Sequence, residues 1–313
     1  MFTRVFGKTS FWSYLIAFSV LIAAVFWHHE VIEEQNPSGG NNFRSSIIGI
    51  LAIISLLCVE WTVRRQMLFK KGSYHLLVFA LFFWVLPIDK WDIWLWFASL
   101  FFWFSFLQII QTDGNPNTKK AVFNAGFWLV FAVFFKVNFI YFSLTMFLIL
   151  LFKGQLNYKS IFLFLLPAFC IAVLWMMLLV LIPSFPSWET TVFTPVKFSF
   201  LRGEKLADSL SFIFVLLTAI VVVFKYLKGA FHNSNKSRNN IYNMILFLIS
   251  TLVIILFGGE GNVISWASFL MVIAVLSTQY LESFSKKWPI ELFFVCCMGI
   301  IFQDQILSIF ISK

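Results

Sequence analysis

Two histidines and three glutamates lie close together near residue 30 of the chain. The sequence reads His28-His29-Glu30, and Glu33 and Glu34 follow within about one helical turn. On a continuing helix, Glu30 would share a face with Glu33 or Glu34. Paired carboxylates beside an imidazole can act as a general base or bind a divalent cation. We therefore predict Glu30, Glu33 and Glu34 as candidate catalytic residues. The alternative is a group of ordinary solvated charges, since the spacing matches no H-E-x-x-H motif.

Basic residues in other polar segments could bind a phosphate group. They are Arg44, Arg202 and Lys205, and cationic side chains are the usual protein partners of phosphate oxygens. The sequence contains no haem, zinc or nucleotide motif. Its glycine-rich segment 258–261 lacks the G-K-[ST] ending of a Walker A loop. The cofactor therefore stays unknown, and we predict no metal site.

Three charged residues fall inside apolar runs, where the burial of charge is costly and usually connected with function. Asp304 interrupts the last run, Glu60 lies near the end of the second, and Lys136 lies in the middle of segment 121–152. Such residues suit an ion or proton path. Two of them also have simpler interpretations. Glu60 can pair with Arg64 at the favourable i,i+4 spacing, and Lys136 can lie in a solvated turn.

The composition indicates the environment of these residues. Of 313 residues, 60% are hydrophobic and 12% are charged, whereas soluble domains are about 45–50% apolar and about 25% charged. So few polar residues cannot cover a water-soluble globule, and a disordered chain is excluded as well. The four cysteines lie in apolar runs and are predicted as packing residues. We predict an all-α, polytopic transmembrane helix bundle that forms a single domain, residues 1–313.

About eleven apolar runs are candidates for spanning a bilayer, which requires roughly 20 residues per helix. Segment 121–152 is too long for one helix and short for two. We predict a hairpin of two short helices there, either spanning or re-entrant. A single long helix is the alternative, and it would invert every later segment. The predicted helices are 11–29, 45–63, 74–88, 92–111, 121–135, 138–152, 159–182, 207–227, 241–257, 262–281 and 290–311.

Lysine and arginine are enriched on the cytoplasmic side of membrane proteins, and this rule orients the chain. Most of its 23 basic residues fall inside if the N-terminus is cytoplasmic and the C-terminus is periplasmic. Segments 29–44 and 183–206 are then outer loops, and 228–240 is a cytoplasmic loop. The net charge of +9 thus indicates orientation. It does not predict nucleic-acid binding, because the basic residues form no contiguous patch.

The region 118–168 carries a resemblance to a known family. The residues concerned are Thr118–Trp128 (TKKAVFNAGFW), Asn157-Tyr158-Lys159 and Pro167, together with Phe6-Gly7-Lys8 before the first helix. In these features and in its layout, the chain resembles an uncharacterised family of polytopic inner-membrane proteins from Bacteroidota, a domain of unknown function of about this length. The resemblance implies an inner-membrane location in a diderm bacterium, and it implies no activity.

A second, architectural similarity is to the GT-C glycosyltransferases. Those enzymes take a sugar from a polyprenyl phosphate on the outer side of the membrane, with an outer-loop carboxylate as base. The similarity rests on an inner N-terminus, many helices, short paired helices and an acidic first outer loop. That loop is shorter here than in those enzymes.

Three functional classes stay open, and the sequence does not decide whether the protein is an enzyme. The first is a membrane protein that handles a lipid-linked or envelope substrate at its outer face, with polyprenyl-phosphate sugar transfer as its sharpest version. The second is a secondary transporter or channel that uses the charged residues of the apolar runs. The third is a non-catalytic scaffold subunit with a membrane-protein partner. All three place the chain in a lipid bilayer.

Overall fold

The computed structural model describes residues 2–7, 10–35, 41–66, 72–85, 93–110, 118–181, 206–229, 242–252, 266–284 and 286–302. This part of the chain is helical and contains no β-strand, which confirms the all-α prediction. The α-helices are α1 Phe2–Phe6, α2 Phe11–Gln35, α3 Asn41–Gln66, α4 Tyr74–Val85, α5 Ile93–Ile110, α6 Thr118–Phe135, α7 Phe142–Phe152, α8 Tyr158–Leu181, α9 Leu206–Gly229, α10 Tyr242–Leu252, α11 Trp266–Glu282 and α12 Trp288–Ile301, and a 3-10 helix, Val137–Tyr141, precedes α7.

Each predicted helical segment overlaps an observed helix, because each is a long apolar run with few breaks. One observed helix was not predicted. This is α1, whose five residues are too few to form a long apolar run. By length and composition, three stretches of the described helices could each cross a membrane: Ser46–Arg64, Ile93–Ile110 and Thr118–Phe135. The other apolar helices are described over shorter lengths.

The predicted first outer loop, 29–44, is largely helical. Helix α2 continues through Gln35, and α3 begins at Asn41. Residues 28–35 contain three glutamates and a glutamine, which are good helix formers, so their polarity does not end the helix. The segments 183–206 and 228–240 lie outside the described residues except at their edges.

The chain divides into two compact units. Unit 1 comprises Met1–Ile93, Ser199–Ile241 and Phe269–Lys313, and unit 2 comprises Trp94–Phe198 and Tyr242–Ser268. In unit 1, α2 packs against α3 and α4, α4 also packs against α12, and α1 lies against α2 and α12. In unit 2, the most extensive contact is between α6 and α8.

Segment 121–152 of unit 2 forms two helices rather than one. The chain leaves α6 at Lys136, passes through the 3-10 helix and enters α7. The Nζ atom of Lys153, just after α7, donates to the carbonyl oxygens of Ile109 and Ile110 at the end of α5, both at 2.9 Å. The end of α7 therefore returns to the end of α5, next to which α6 began, and the chain has reversed as predicted for a hairpin.

Glycine allows the close packing of α6 on α8. A Cβ atom on Gly126 would lie 2.1 Å from the carbonyl oxygen of Phe164, far inside the van der Waals distance. Ser105 of α5 adds a hydrogen bond of 2.7 Å from its hydroxyl to the carbonyl oxygen of Ala125. Both contacts join backbone to a neighbouring helix, so they fix the spacing of α5, α6 and α8.

Phenylalanine fills the interior of unit 2. The ring of Phe102 lies 3.9 Å from that of Phe142 and 4.8 Å from that of Phe247, measured between centroids. Phe106 lies 4.1 Å from Phe247. Stacked and tilted rings at these distances add to the packing energy of apolar side chains. Several of the 43 phenylalanines thus serve as core residues.

Candidate functional site

A cluster of four polar side chains joins three helices of unit 1. Glu60 of α3 is at its centre. The hydroxyl of Tyr14, on α2, donates to Oε1 of Glu60, and Nε of Arg64 donates to the same oxygen. Nε2 of His75, on α4, contacts Oε2 of Glu60. Arg64 also donates from Nη2 to the Tyr14 oxygen. We call these four residues the Glu60 cluster.

The Glu60 cluster is buried at its centre and open at one edge. Glu60 is 7% exposed and His75 is 1% exposed, whereas the Arg64 side chain is 61% exposed. Buried charges are usually paired because an isolated one is very costly. The carboxylate of Glu60 and the imidazole of His75 therefore form a buried pair. Arg64 bonds to this pair from the exposed edge of the cluster.

Local sequence explains how α3 and α4 bring this pair together. Glu60 and Arg64 share a face of α3 at the i,i+4 spacing, which is the pairing expected from the sequence. Helix α4 starts two residues after Gly72, whose N–H donates to Oε1 of Glu282 at 2.9 Å. A Cβ atom on Gly72 would lie 2.3 Å from that oxygen. Gly72 therefore lets the chain approach α11 closely before it enters α4 with His75.

A third carboxylate, that of Glu291, holds the N-terminal helix at the same end of unit 1. Oε1 of Glu291, in the first turn of α12, accepts from the N–H of Thr3 at 3.0 Å and from its hydroxyl at 2.9 Å. The carbonyl oxygen of Phe6 accepts from the N–H of Ser73 at 2.9 Å. Tyr74 stacks on Phe294 of α12. The starts of α4 and α12 are thus held together through α1.

The arrangement of the Glu60 cluster suits proton binding. A carboxylate in contact with an imidazole can share or exchange a proton with it. Tyr14 and Arg64 can donate hydrogen bonds to the carboxylate in its charged form. Within the described residues, no group of three or more His, Cys, Asp or Glu side chains could hold a metal ion.

Of the charged residues predicted in apolar runs, the structure places two. Glu60 is the centre of the cluster just described. Lys136 caps the 3-10 helix in an extended conformation, with φ −146° and ψ 111°, so it lies at the turn of the hairpin in unit 2. Asp304 lies outside the described residues.

The predicted outer-face residues are placed only in part. Glu30, Glu33 and Glu34 lie in the last two turns of α2, and Arg44 lies in the first turn of α3, but their side chains are outside the described part of the structure. The helix required for Glu30 to share a face with Glu33 or Glu34 is present. Arg202 and Lys205 fall outside the described ranges altogether.

Sequence reasoning missed His75 and Tyr14 as members of the site. Neither shares a helix with Glu60, so no spacing rule relates them. A signal did exist. His75 begins an apolar run directly after the predicted inner loop that follows Glu60, which placed an imidazole and a carboxylate on the same side of the predicted bundle.

Comparison with known proteins gives a family and no activity. No curated protein and no solved structure matches the chain significantly. A family model described as a family of unknown function matches residues 1–310. Since this match covers nearly all of the 313 residues, the chain belongs to the family of unknown function DUF6427.

Proposed function

We propose that the protein is a multi-pass protein of a bacterial inner membrane. The three long apolar helices support this location, and so does the distribution of exposed residues. Large apolar side chains are widely exposed, among them Phe162 at 65%, Phe169 at 69% and Phe224 at 65%. Water would disfavour so much exposed apolar surface, whereas lipid chains accept it.

Contacts at one end of unit 1 support the proposed orientation. The positive-inside rule puts the N-terminus, the 64–73 region and the 282–291 region on the cytoplasmic side. These three segments meet through the hydrogen bonds of Thr3 to Glu291, Ser73 to Phe6, and Gly72 to Glu282. Alternating spans require all three to lie on one side. We therefore place the N-terminus in the cytoplasm and the C-terminus in the periplasm.

Within that frame, the Glu60 cluster serves as the proton-binding site of a proton-coupled secondary transporter. The main support for this proposal is the contact between the buried carboxylate of Glu60 and the buried imidazole of His75. Ionisable residues inside membrane helices are rare and usually belong to substrate or proton pathways. Glu60 lies one helical turn, about 6 Å, inside Arg64, which places the site close to the cytoplasmic surface.

The geometry suggests how proton binding could alter the bundle. Glu60 holds α2, α3 and α4 together through Tyr14, Arg64 and His75. A proton that binds to the pair of Glu60 and His75 would change the charge on which these contacts depend and would weaken them. The helices α2 and α4 would then be freer to shift against α3. Proton release toward the exposed Arg64 side would restore the contacts.

The test is a pH jump on proteoliposomes adsorbed to a solid-supported membrane electrode. Wild-type protein should give a transient charge movement as protons bind, without any added solute. Glu60→Gln and His75→Gln should each abolish most of it. Glu291→Gln is the matched control, because Glu291 is another carboxylate at the same end of unit 1, where it accepts hydrogen bonds from Thr3. It should retain the wild-type signal.

Protein stability is measured on the same preparations. A purely structural Glu60 cluster predicts that Glu60→Gln lowers the melting temperature while the charge movement per folded molecule stays at the wild-type value. That outcome would rule out the proton-binding role. If the charge movement is lost in folded protein, a potassium diffusion potential with a pH-sensitive dye inside the vesicles then shows whether protons cross the membrane.

A second function is supported by the helical extension of α2. This is the handling of a lipid-linked substrate at the outer face, in its sharpest form sugar transfer from a polyprenyl phosphate. Helix α2 carries Glu30, Glu33 and Glu34 in its last two turns, at the end opposite to Tyr14, and a carboxylate there could act as base. Replacing each glutamate by glutamine should reduce incorporation of labelled sugar from a polyprenyl phosphate donor. Unchanged incorporation in all three variants contradicts this function.

A further inference from the structure

Three lysines of unit 1 lie near one another, at the end of α9 and at the turn from α11 into α12. Lys225 belongs to the last two turns of α9, and Lys286 and Lys287 lie between α11 and α12. Lys225 is half-buried, whereas Lys286 and Lys287 are exposed. We call these three residues the lysine cluster.

Two aromatic rings hold Lys225 beside the turn between α11 and α12. Its Nζ atom lies 4.7 Å from the ring centroid of Tyr280 and 4.2 Å from that of Phe284, both within the range of a cation–π interaction. The two rings also contact each other edge to face, with centroids 4.9 Å apart. Phe284 precedes Lys286 by two residues, so their Cα atoms lie at most about 7 Å apart. The ammonium group of Lys225 is therefore held close to the exposed lysines.

The positive charge of the lysine cluster is not neutralised within the described part of the chain. None of the three lysines forms an ion pair with a carboxylate there. Of the two acids nearest to the turn in the sequence, Glu282 accepts a hydrogen bond from the N–H of Gly72. The other, Glu291, accepts one from the N–H of Thr3. Neighbouring cations repel one another, so an anionic ligand would stabilise the cluster.

Exposed aromatic side chains adjoin these lysines in the sequence. Phe224, which is 65% exposed, directly precedes Lys225, and Trp288, which is 63% exposed, directly follows Lys287. Tryptophan is enriched at the level of the lipid headgroups. In the proposed orientation this end of unit 1 is at the cytoplasmic surface. A ligand that combines an anionic group with hydrocarbon would therefore suit both kinds of side chain.

We infer that the lysine cluster binds the phosphate group of an anionic phospholipid of the cytoplasmic leaflet, of the phosphatidylglycerol type. The phosphate would contact the ammonium groups, and the acyl chains would lie against Phe224 and Trp288. A zwitterionic lipid carries an ammonium group of its own, which the lysines repel. Inorganic phosphate offers no hydrocarbon to the exposed rings. The inference rests on the proposed membrane location and orientation, and not on proton binding by Glu60.

Native mass spectrometry of delipidated protein tests this inference. The probes are phosphatidylglycerol and phosphatidylethanolamine with identical acyl chains, added in equal amounts. Wild-type protein should retain phosphatidylglycerol in preference. Lys225→Met keeps an unbranched side chain beside the two rings and removes the charge, and it should reduce this preference about fivefold, the contribution of one lysine near an anionic lipid surface. The double substitution Lys286→Gln and Lys287→Gln should reduce it further. Both of its positions are exposed, so it keeps the test valid if Lys225→Met does not fold.

Lys159→Gln is the matched control. Lys159 also lies over an aromatic ring, with its Nζ atom 5.6 Å from the ring centroid of Tyr158, and it is on the same proposed side of the membrane but in unit 2. It should show the wild-type preference. An equal loss in Lys159→Gln would indicate an effect of total charge and would overturn the site.

Equal retention of the two lipids by wild-type protein overturns the inference, and so does an undiminished preference in both variants of the lysine cluster. Displacement of phosphatidylglycerol by an excess of inorganic phosphate overturns the lipid as the occupant. Release of the protein from cell membranes by alkaline carbonate would overturn the membrane location itself. Lys225→Met should retain the charge movement proposed for the Glu60 cluster, so lipid binding and proton binding can each fail alone.

Discussion

Unit 1 and unit 2 are both helical and apolar, yet different kinds of group join their helices. At one end of unit 1 the helices are joined by charged side chains, namely the Glu60 cluster and the carboxylates of Glu282 and Glu291. In unit 2 the helices are joined mainly by stacked rings and by the close approach of Gly126 to Phe164. The polar links described there run from Lys153 and Ser105 to backbone carbonyl oxygens, and none is a buried ion pair. Apolar packing is sufficient to hold an apolar bundle together.

The difference shows where function is to be sought. A buried carboxylate and imidazole in an otherwise apolar bundle stabilise it less reliably than a hydrophobic pair of the same size would. Unit 2 demonstrates that the chain can build a packed bundle largely without them. The charges of unit 1 therefore call for another explanation, and reversible proton binding is the one that the contact between Glu60 and His75 supports.

The largest expected effect comes from breaking the buried pair in unit 1. Glu60→Ala leaves His75, which is 1% exposed, without its carboxylate partner. Removing one member of a buried pair costs about 3–5 kcal/mol. Denaturant unfolding of the purified variant should show a loss of this size. A loss below about 1 kcal/mol would mean that the carboxylate is not the centre of the contact.

The second-largest effect is expected from a substitution that disrupts helix packing in unit 2. Gly126→Ala places a methyl group 2.1 Å from the carbonyl oxygen of Phe164, so α6 and α8 must separate. Overpacking of this kind costs about 1–3 kcal/mol and occasionally more. Gly299→Ala is the control, since open space surrounds that position. Equal stability of the two variants would show that α6 and α8 are not in close contact.

A smaller effect comes from the one polar link between α5 and α6 described above. Ser105→Ala removes the 2.7 Å hydrogen bond to the carbonyl oxygen of Ala125, and such bonds contribute about 0.5–1.5 kcal/mol. Ser19→Ala serves for comparison, because the Ser19 hydroxyl is exposed and bonds within its own helix. The unfolding free energy should fall for Ser105→Ala alone. The same loss in both variants would argue against an interhelical bond.

The smallest effect on stability is expected from removing the charge of Arg64, and it tests which residue is the main partner of Glu60. Arg64 belongs to it but is 61% exposed along its side chain, and exposed ion pairs contribute about 0–1 kcal/mol. Arg64→Gln should therefore cost far less stability than Glu60→Ala in the same unfolding measurement. A cost equal to that of Glu60→Ala would make Arg64, rather than His75, the main partner of the carboxylate.

The sequence was sufficient for the helices and for contacts within one helix. Each apolar run became a helix, and Glu60 pairs with Arg64 because i,i+4 spacing is a local property. It was insufficient for contacts between helices. A helix that is apolar on all sides has no periodicity that identifies its buried face. The contacts of Glu60 with Tyr14 and His75, and the approach of Gly126 to Phe164, therefore could not be read from the sequence.

Polar composition also misled the prediction of the segment 29–44. The charged residues of this segment predict a loop, but His28 to Gln35 form the last turns of α2. Glutamate and glutamine favour helix whether or not they are solvated. Polarity in an otherwise apolar chain marks the end of an apolar run, and the end of the helix can lie several residues further on.

The most direct test of the central claim is infrared spectroscopy of the reconstituted protein during a titration of pH. Binding of a proton to the pair of Glu60 and His75 should change the infrared bands of the carboxylate and the imidazole. This change should be absent from Glu60→Gln and from His75→Gln, and it should be retained in Glu291→Gln. Identical titration spectra for wild-type protein and Glu60→Gln would contradict the claim that the pair of Glu60 and His75 binds the proton.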